Sequence, residues 1–411
     1  MQSDELHGGE MKRLKTMQDA DDANFTSLRP VHPWNSNRDT DDHRHGMIHT
    51  PPSPSSSSSS PSSSSPSSSS ISACCCCCDR IKICNEEEEE TLDFHIPGFE
   101  ILGLVGEGSY GRIYKAKKKS NTGKRTGNGV HDDDAQEPLI ALKVFKTRFS
   151  ADKADSGICS QLPPEPQMEM AMSMMLSKQA SPSTPIVRTL GFHFHFSAPV
   201  HVNGYGKQQY RAAQAEAAMS MDFCHGGSLL DFMKRMESPS IMEMMMAERE
   251  ARLFVRPIAM ALQFCHDRNV LHLDVKPANI LLREPGCLAS ACLADFGLGL
   301  ILPKCGSRYA ESAPGRGTPC YMAPEAQIYG IYSTSSDVWS LGVVLLEALT
   351  GHIPPPPPCG SQMGAHWRTL SRVPAWTKLS KPARGLIKWM LCPDPQMRMH
   401  LDELLHHPWL L

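Results

Sequence analysis

Asp274, Lys276 and Asn279 lie close together in His272-Leu273-Asp274-Val275-Lys276-Pro277-Ala278-Asn279. Phosphate transfer needs a carboxylate to orient the attacking hydroxyl, a cation to neutralise charge in transit, and an oxygen ligand for a metal. These three residues supply all three. A further carboxylate suited to a metal, Asp295, follows in Ala294-Asp295-Phe296-Gly297. Far upstream is Gly106-Glu107-Gly108-Ser109-Tyr110-Gly111, whose glycines let a backbone hairpin approach phosphate oxygens without side-chain clash. Lys143 follows within the apolar run Ala141-Leu142-Lys143-Val144-Phe145, where a lysine costs desolvation unless it is paired or bound to phosphate. One glycine loop is weak evidence. The whole set, in this order, is specific.

The elements that must position these residues can be read from pattern. Phe99 to Val105 and Gly111 to Ala116 read as strands paired through the glycine loop, and Leu139 to Phe145 as the next strand. A polar excursion, Lys117 to Glu137, separates them. A helix is expected after Pro163-Pro164-Glu165-Pro166, with Glu165 pushed out of helical geometry by the proline that follows it. Met168, Met172, Met175 and Leu176 recur at helical spacing and are expected in the core. Strands at Ile186 to Phe196 and Ala217 to Phe223 are separated by a loop, and His193 and His195 are expected to face solvent. Beyond Gly226 the pattern turns helical: a short helix capped by Ser228 and Asp231, a long one over Ala247 to Arg268, and others near Val338 to Leu349, Pro382 to Met390 and Leu401 to His406. Five strands and one helix followed by a mostly helical half define an α+β chain with two lobes.

Together these motifs resemble the eukaryotic protein kinase family over about residues 97 to 411. The resemblance implies ATP and Mg²⁺ as cofactors, protein substrates, and a two-lobed kinase fold. It divides the chain into a tail (1–94), an N-lobe with hinge (95–224) and a C-lobe (225–411). It makes Asp274 and Lys276 catalytic, and Asn279 and Asp295 the magnesium ligands. Nucleotide binding falls to Gly106, Glu107, Gly108, Gly111, Ile113, Ala141 and Lys143, with Glu169 as the lysine's partner on the helix. Met221 becomes the gatekeeper, and Asp222, Phe223 and Cys224 line the adenine slot. Thr318 in Gly317-Thr318-Pro319 is expected to bond the catalytic aspartate and lysine. Glu325 with Arg398 resembles the family's buried ion pair, and Asp337 the brace of the catalytic loop.

Lys276 and the Gly317 to Glu325 stretch resemble the serine/threonine-specific branch, so the implied enzyme is a protein serine/threonine kinase. The segment from His272 to Asn279 is also similar to the Wee/Myt kinases that inhibit cyclin-dependent kinases, and a pseudokinase scaffold is the rival from another class. One departure matters. Leu273 stands where the family usually has the arginine that receives an activation-loop phosphate.

Composition bounds the rest. A formal net charge of -3 over 411 residues gives no sign of a nucleic-acid-binding surface. No apolar run reaches the roughly 18 residues of a transmembrane helix, and the amino terminus is too polar for a secretory signal. A cytoplasmic or nuclear protein is expected. The odd count of 15 cysteines favours reduced thiols. The run Cys74 to Cys78 is poorly spaced for zinc; reversible lipidation and low-complexity drift are the other readings. Residues 1–94, with a serine/proline stretch from Pro51 to Ser70 and an acidic run Glu86 to Glu90, read as disordered. Thr50-Pro51, Ser53-Pro54, Ser60-Pro61 and Ser65-Pro66 there suit a proline-directed kinase.

Overall fold

The computed structural model describes residues 96–411 apart from 109–110, 120–137, 146–148, 151–163, 198–199, 205–206, 212–213, 237–245, 304–308 and 355–362. The tail, with its Ser-Pro and Cys runs, and most of the polar excursion lie outside the described residues.

The first lobe is a twisted antiparallel sheet. β1 (Phe99–Glu107) pairs with β2 (Gly111–Lys118), and β2 with β3 (Leu139–Phe145). Residues of β2 alternate between core and cleft, with Tyr114 and Ala116 buried. Lys117 and Lys118 continue this strand opposite Glu100 and Phe99, so the excursion starts later than the composition change suggests. The two-residue strand β4 (Phe149–Ser150) leads towards helix α1 (Pro164–Gln179). Next come β5 (Thr189–Ser197), the hairpin β6 (Val200–Gly204) and β7 (Lys207–Arg211), and β8 (Gln214–Asp222). β8 pairs with β3, β4 and β5, making six strands rather than five.

Four local expectations are corrected. Glu165 lies inside α1, because first-turn amides have no intrahelical acceptor and prolines there interrupt nothing. Met172 and Leu176 are buried, but Met168 is 47% exposed. Val200–Gly204 and Lys207–Arg211 pair as strands where a loop is expected. His193 turns inward, its ring edge-on to Phe99 at 4.6 Å and its Nε2 2.9 Å from Ser220 Oγ; the side chain of His195 is outside the described residues.

The second lobe begins with β9 (Gly227–Ser228) and α2 (Leu229–Met236), where Asp231 accepts from both the Ser228 amide and hydroxyl. Helix α3 (Glu248–His266) packs under two short strands, β10 (Val270–Leu271) and β12 (Ala291–Leu293), and β11 (Ile280–Leu282) pairs with β12. β13 (Leu300–Ile301) pairs with β10. β14 (Tyr309–Glu311) and helix α4 (Pro324–Tyr329) precede β15 (Ile331–Ser333), which pairs with β14. Helix α5 (Thr334–Thr350) is apolar on all sides and buried almost throughout, as expected of a helix at a core's centre. After α6 (Met363–Leu370), α7 (Lys381–Met390) packs against α5 and α8 (Leu401–Leu405) against α3. No helix among the described residues is long and apolar enough to cross a membrane.

Candidate active site

The polar groups converge between the lobes. β3 alternation turns Lys143 in, opposite Ile113 on β2 and Met219 on β8, and leaves it 6% exposed. A cation so buried needs partners. Its Nζ donates to Glu169 Oε1 at 2.5 Å and Asp295 Oδ1 at 2.8 Å, which joins the sheet, α1 and the segment after β12 at one atom. Burial pushes the Glu169 carboxyl up to about 7 despite Lys143. The depth of Asp295 opposes its ionisation too, but Lys143 more than offsets this and holds its carboxyl below the usual range. The Asp295 side chain still keeps 40% of its surface, open to the cleft. Its φ of 65° is left-handed, a strained choice for a non-glycine residue.

The cluster around Asp274 is built from the other lobe. Asp337 at the start of α5 accepts the amides of His272 and Leu273 at 2.9 and 2.7 Å, and His266 Nε2 lies 2.8 Å away. Held this way, Leu273 adopts φ 64° and buries its side chain in the core. The Asp274 amide donates to His272 Nδ1, so the opposite nitrogen carries the proton given to the Ala294 carbonyl. Thr318 Oγ1 donates to Asp274 Oδ1 at 2.6 Å, and Lys276 Nζ donates to Thr318 Oγ1 and lies 2.8 Å from Asp274 Oδ2. Asn279 Nδ2 donates to the carbonyl and Oδ2 of Asp274. Its amide oxygen is left for another use. Gly317 makes this closeness possible, because with φ 129° a Cβ would lie 2.7 Å from the Leu273 carbonyl oxygen.

Gly111 is the loop glycine that packing demands, since a Cβ there would collide with the Val144 carbonyl oxygen. Gly106 and Gly108 face open space, Gly108 donating to the Gly111 carbonyl at 2.9 Å; Glu107 sits 3.5 Å from Arg112. Ala141 is buried directly opposite Met221. Of the expected slot residues, Asp222 turns its carboxylate to Arg188, with Nε at 2.8 Å, so it presents backbone rather than side chain. The Cys224 amide, just past β8, has no protein acceptor among the described residues.

Sequence reasoning missed two arginines, Arg188 and Arg283, and did not foresee the backbone contacts of a third, Arg316. Arg188 fixes the hinge, Arg283 donates to the carbonyls of Pro182, Thr184 and Ile186, and Arg316 donates at 3.4 Å to the carbonyls of Leu298 and Gly299. Their partners are mostly backbone oxygens, which leave no mark in the residue pattern.

The donors near the cleft mouth suit Mg²⁺. Asp295 and Asn279 offer oxygen only, a hard set small enough for a cation that keeps waters and phosphate oxygens as its remaining ligands. Among the described residues no cluster of three or more His, Cys, Asp or Glu suggests a site held by protein alone.

A sheet-topped lobe on a helical lobe, with this polar set between them, is the architecture of a protein kinase. The chain belongs to the protein kinase domain family, which matches residues 131–410. The match starts after the glycine loop, which the sheet register joins to the same site. Among its relatives, serine/threonine-protein kinase PEPKR2 of Arabidopsis thaliana is 36% identical over 197 residues, 46% of this chain and 38% of that protein. Human serine/threonine-protein kinase ULK3 is 37% identical over 194 residues, again 46% and 38%. Calcium-dependent protein kinase 20 of rice is 34% identical over 195 residues, 46% of this chain and 33% of the relative. The chain thus spans well under two thirds of these curated relatives.

Proposed function

We propose that this chain transfers the γ-phosphate of ATP to serine and threonine hydroxyls of protein substrates. The observation that carries it is the pair of clusters Lys143–Glu169–Asp295 and Asp274–Thr318–Lys276–Asn279, tied together by the Ala294 amide donating to the Asn279 carbonyl at 2.9 Å. On this reading the Cys224 amide bonds adenine, with Met221, Ala141 and Ile113 around the ring. Lys143 holds the α- and β-phosphates under the loop of Gly106, Gly108 and Gly111, and Glu169 keeps the lysine in place. Asn279 and Asp295 would hold Mg²⁺, which supplies charge neutralisation on the phosphates. Asp274 accepts the hydroxyl proton as the oxygen–phosphorus bond forms, ADP departs, and Lys276 balances charge on the transferred group.

Thr318 supports serine/threonine specificity, because it ties the substrate platform to Asp274 and Lys276. Phosphoamino-acid analysis of a peptide-library reaction is therefore expected to give phosphoserine and phosphothreonine, with phosphotyrosine minor. Mainly phosphotyrosine would instead support the Wee/Myt likeness of the catalytic loop.

Leu273 carries a second prediction. A buried leucine offers an activation-loop phosphate no cation, and charge-assisted bonds make a switch only where a cation receives them. The segment is held otherwise, by β14 pairing with β15 and by the Tyr332 hydroxyl, which donates to Ala313 and accepts from the Arg316 amide. Phosphatase-treated enzyme should keep its activity to within about threefold, as should a variant with Ser307, Tyr309 and Ser312 all changed to alanine. Ser307 and Arg308 lie outside the described residues. A loss of about a hundredfold in both experiments would show phosphate control by another route.

The Thr-Pro and Ser-Pro pairs between Thr50 and Pro66 are proposed acceptors for a proline-directed kinase. Phosphosite mapping of chain expressed in eukaryotic cells tests this, and unmodified pairs would count against it.

A further inference from the structure

Two thiols meet beside the nucleotide slot, and the reaction proposed above uses neither sulfur. Cys224 lies just past β8 in the connection between lobes, and Cys292 is the middle residue of β12, ahead of Asp295. Their Sγ atoms are 3.6 Å apart, in a small apolar cluster with Val187, Met221, Leu281 and Ala294. Cys292 is fully buried and its thiol also reaches the Leu281 carbonyl at 3.3 Å, whereas Cys224 is half-buried.

We propose that Cys224 and Cys292 are a redox pair, joined by hydroperoxide into a reversible disulfide that shuts off nucleotide binding. In the first step one sulfur, as thiolate, attacks a peroxide oxygen, the O–O bond breaks, and the leaving hydroxide takes a proton to become water. The resulting sulfenic acid is then attacked by the second sulfur. The S–S bond forms, the S–O bond breaks, and a second water leaves with the remaining thiol proton. Two thiols and one peroxide thus give one disulfide and two waters. The Cys224 S–H donated to Cys292, working against burial and helped by nearby Arg283, holds the Cys292 thiol below its usual range. The half-buried Cys224 is the side from which peroxide reaches the pair.

The consequence for nucleotide follows from which sulfur can move. A disulfide brings the sulfurs to about 2.0 Å, so the pair must close by roughly 1.5 Å. Cys292 is fixed: β12 pairs residue by residue with β11, and the next amide, Leu293, donates to the Pro185 carbonyl at 2.9 Å. Cys224 lies outside the strand and its amide has no acceptor among the described residues, so the displacement falls on the hinge. A shift of this size takes an amide out of hydrogen-bond range. The inference rests on the proposed role of that amide in binding adenine.

The test uses the full chain, hydrogen peroxide, and a fluorescent ATP analogue as the binding probe. Peptide mapping without reductant should yield a Cys224–Cys292 cross-linked peptide, and nucleotide affinity should fall by about tenfold or more. Dithiothreitol should reverse both. Cys292→Ala, or Cys292→Ser if the alanine variant folds poorly, should show no reversible loss relative to its own untreated state. The proposal is overturned by absence of the cross-linked peptide, by cross-linked protein that binds nucleotide as before, or by an undiminished reversible loss in the Cys292 variants. Untreated chain that binds no nucleotide would refute the proposed function instead, while the peptide map still decides whether the pair oxidises.

Discussion

Lys143→Met should lower phosphate transfer by about a thousandfold or more, because the fixed charge facing the phosphates disappears. The fold should survive. Glu169 already has its carboxyl raised to about 7 by burial, so without Lys143 it takes up a proton rather than remaining a buried, unpaired charge. Asp295→Asn should cost activity by a similar factor, since it removes a carboxylate from the oxygen set while Lys143 keeps Glu169 at 2.5 Å. Both variants should melt within about 3 °C of the parent, as expected for losses near 1 kcal/mol in a domain of this size. Steady-state assays beside thermal melting check this. Most activity retained in either folded variant would remove these residues from the site.

Arg398→Leu should have the largest effect on stability, about 3–5 kcal/mol. Arg398 is fully buried, bonds both oxygens of Glu325 at 2.7 and 2.9 Å, and also donates to the carbonyls of Cys392 and Ser335. Removing the guanidinium strands a buried carboxylate and two carbonyl oxygens. The pair holds the end of the substrate platform against α5 and the segment before α8, so its loss loosens the lower lobe as a unit. Chemical denaturation should show the drop, and Glu325→Leu in the same chain should restore part of it, because no unpaired charge then remains. A single variant within about 1 kcal/mol of the parent would mean the pair is not structural.

What was readable in the residues is what physics forces to be local. A lysine in an apolar strand requires partners, and a Gly-Thr-Pro turn requires the backbone freedom that Gly317 supplies at φ 129°. The Glu169 partnership shows a right residue reached partly for the wrong reason. The proline after Glu165 argues against helix there, yet the residue lies in α1; position one turn further along, facing Lys143, is what selects Glu169. Met168 fitted the helical period but faces solvent, because periodicity marks a face without saying how far the covering sheet extends. Asp222 at the end of β8 meets Arg188 just before β5, and no spacing rule announces such a pair. The pairing of β6 with β7 leaves no trace in the pattern because Lys207–Arg211 has no apolar alternation.

The central claim is catalysis rather than scaffolding, and transfer of labelled γ-phosphate from ATP to a general protein substrate tests it most directly. The purified full chain should label serine and threonine, stop when magnesium is chelated, and exceed Asp274→Asn by about a hundredfold or more. Folded, nucleotide-binding protein that transfers no phosphate above the Asp274→Asn level would contradict the account and make the chain a pseudokinase scaffold.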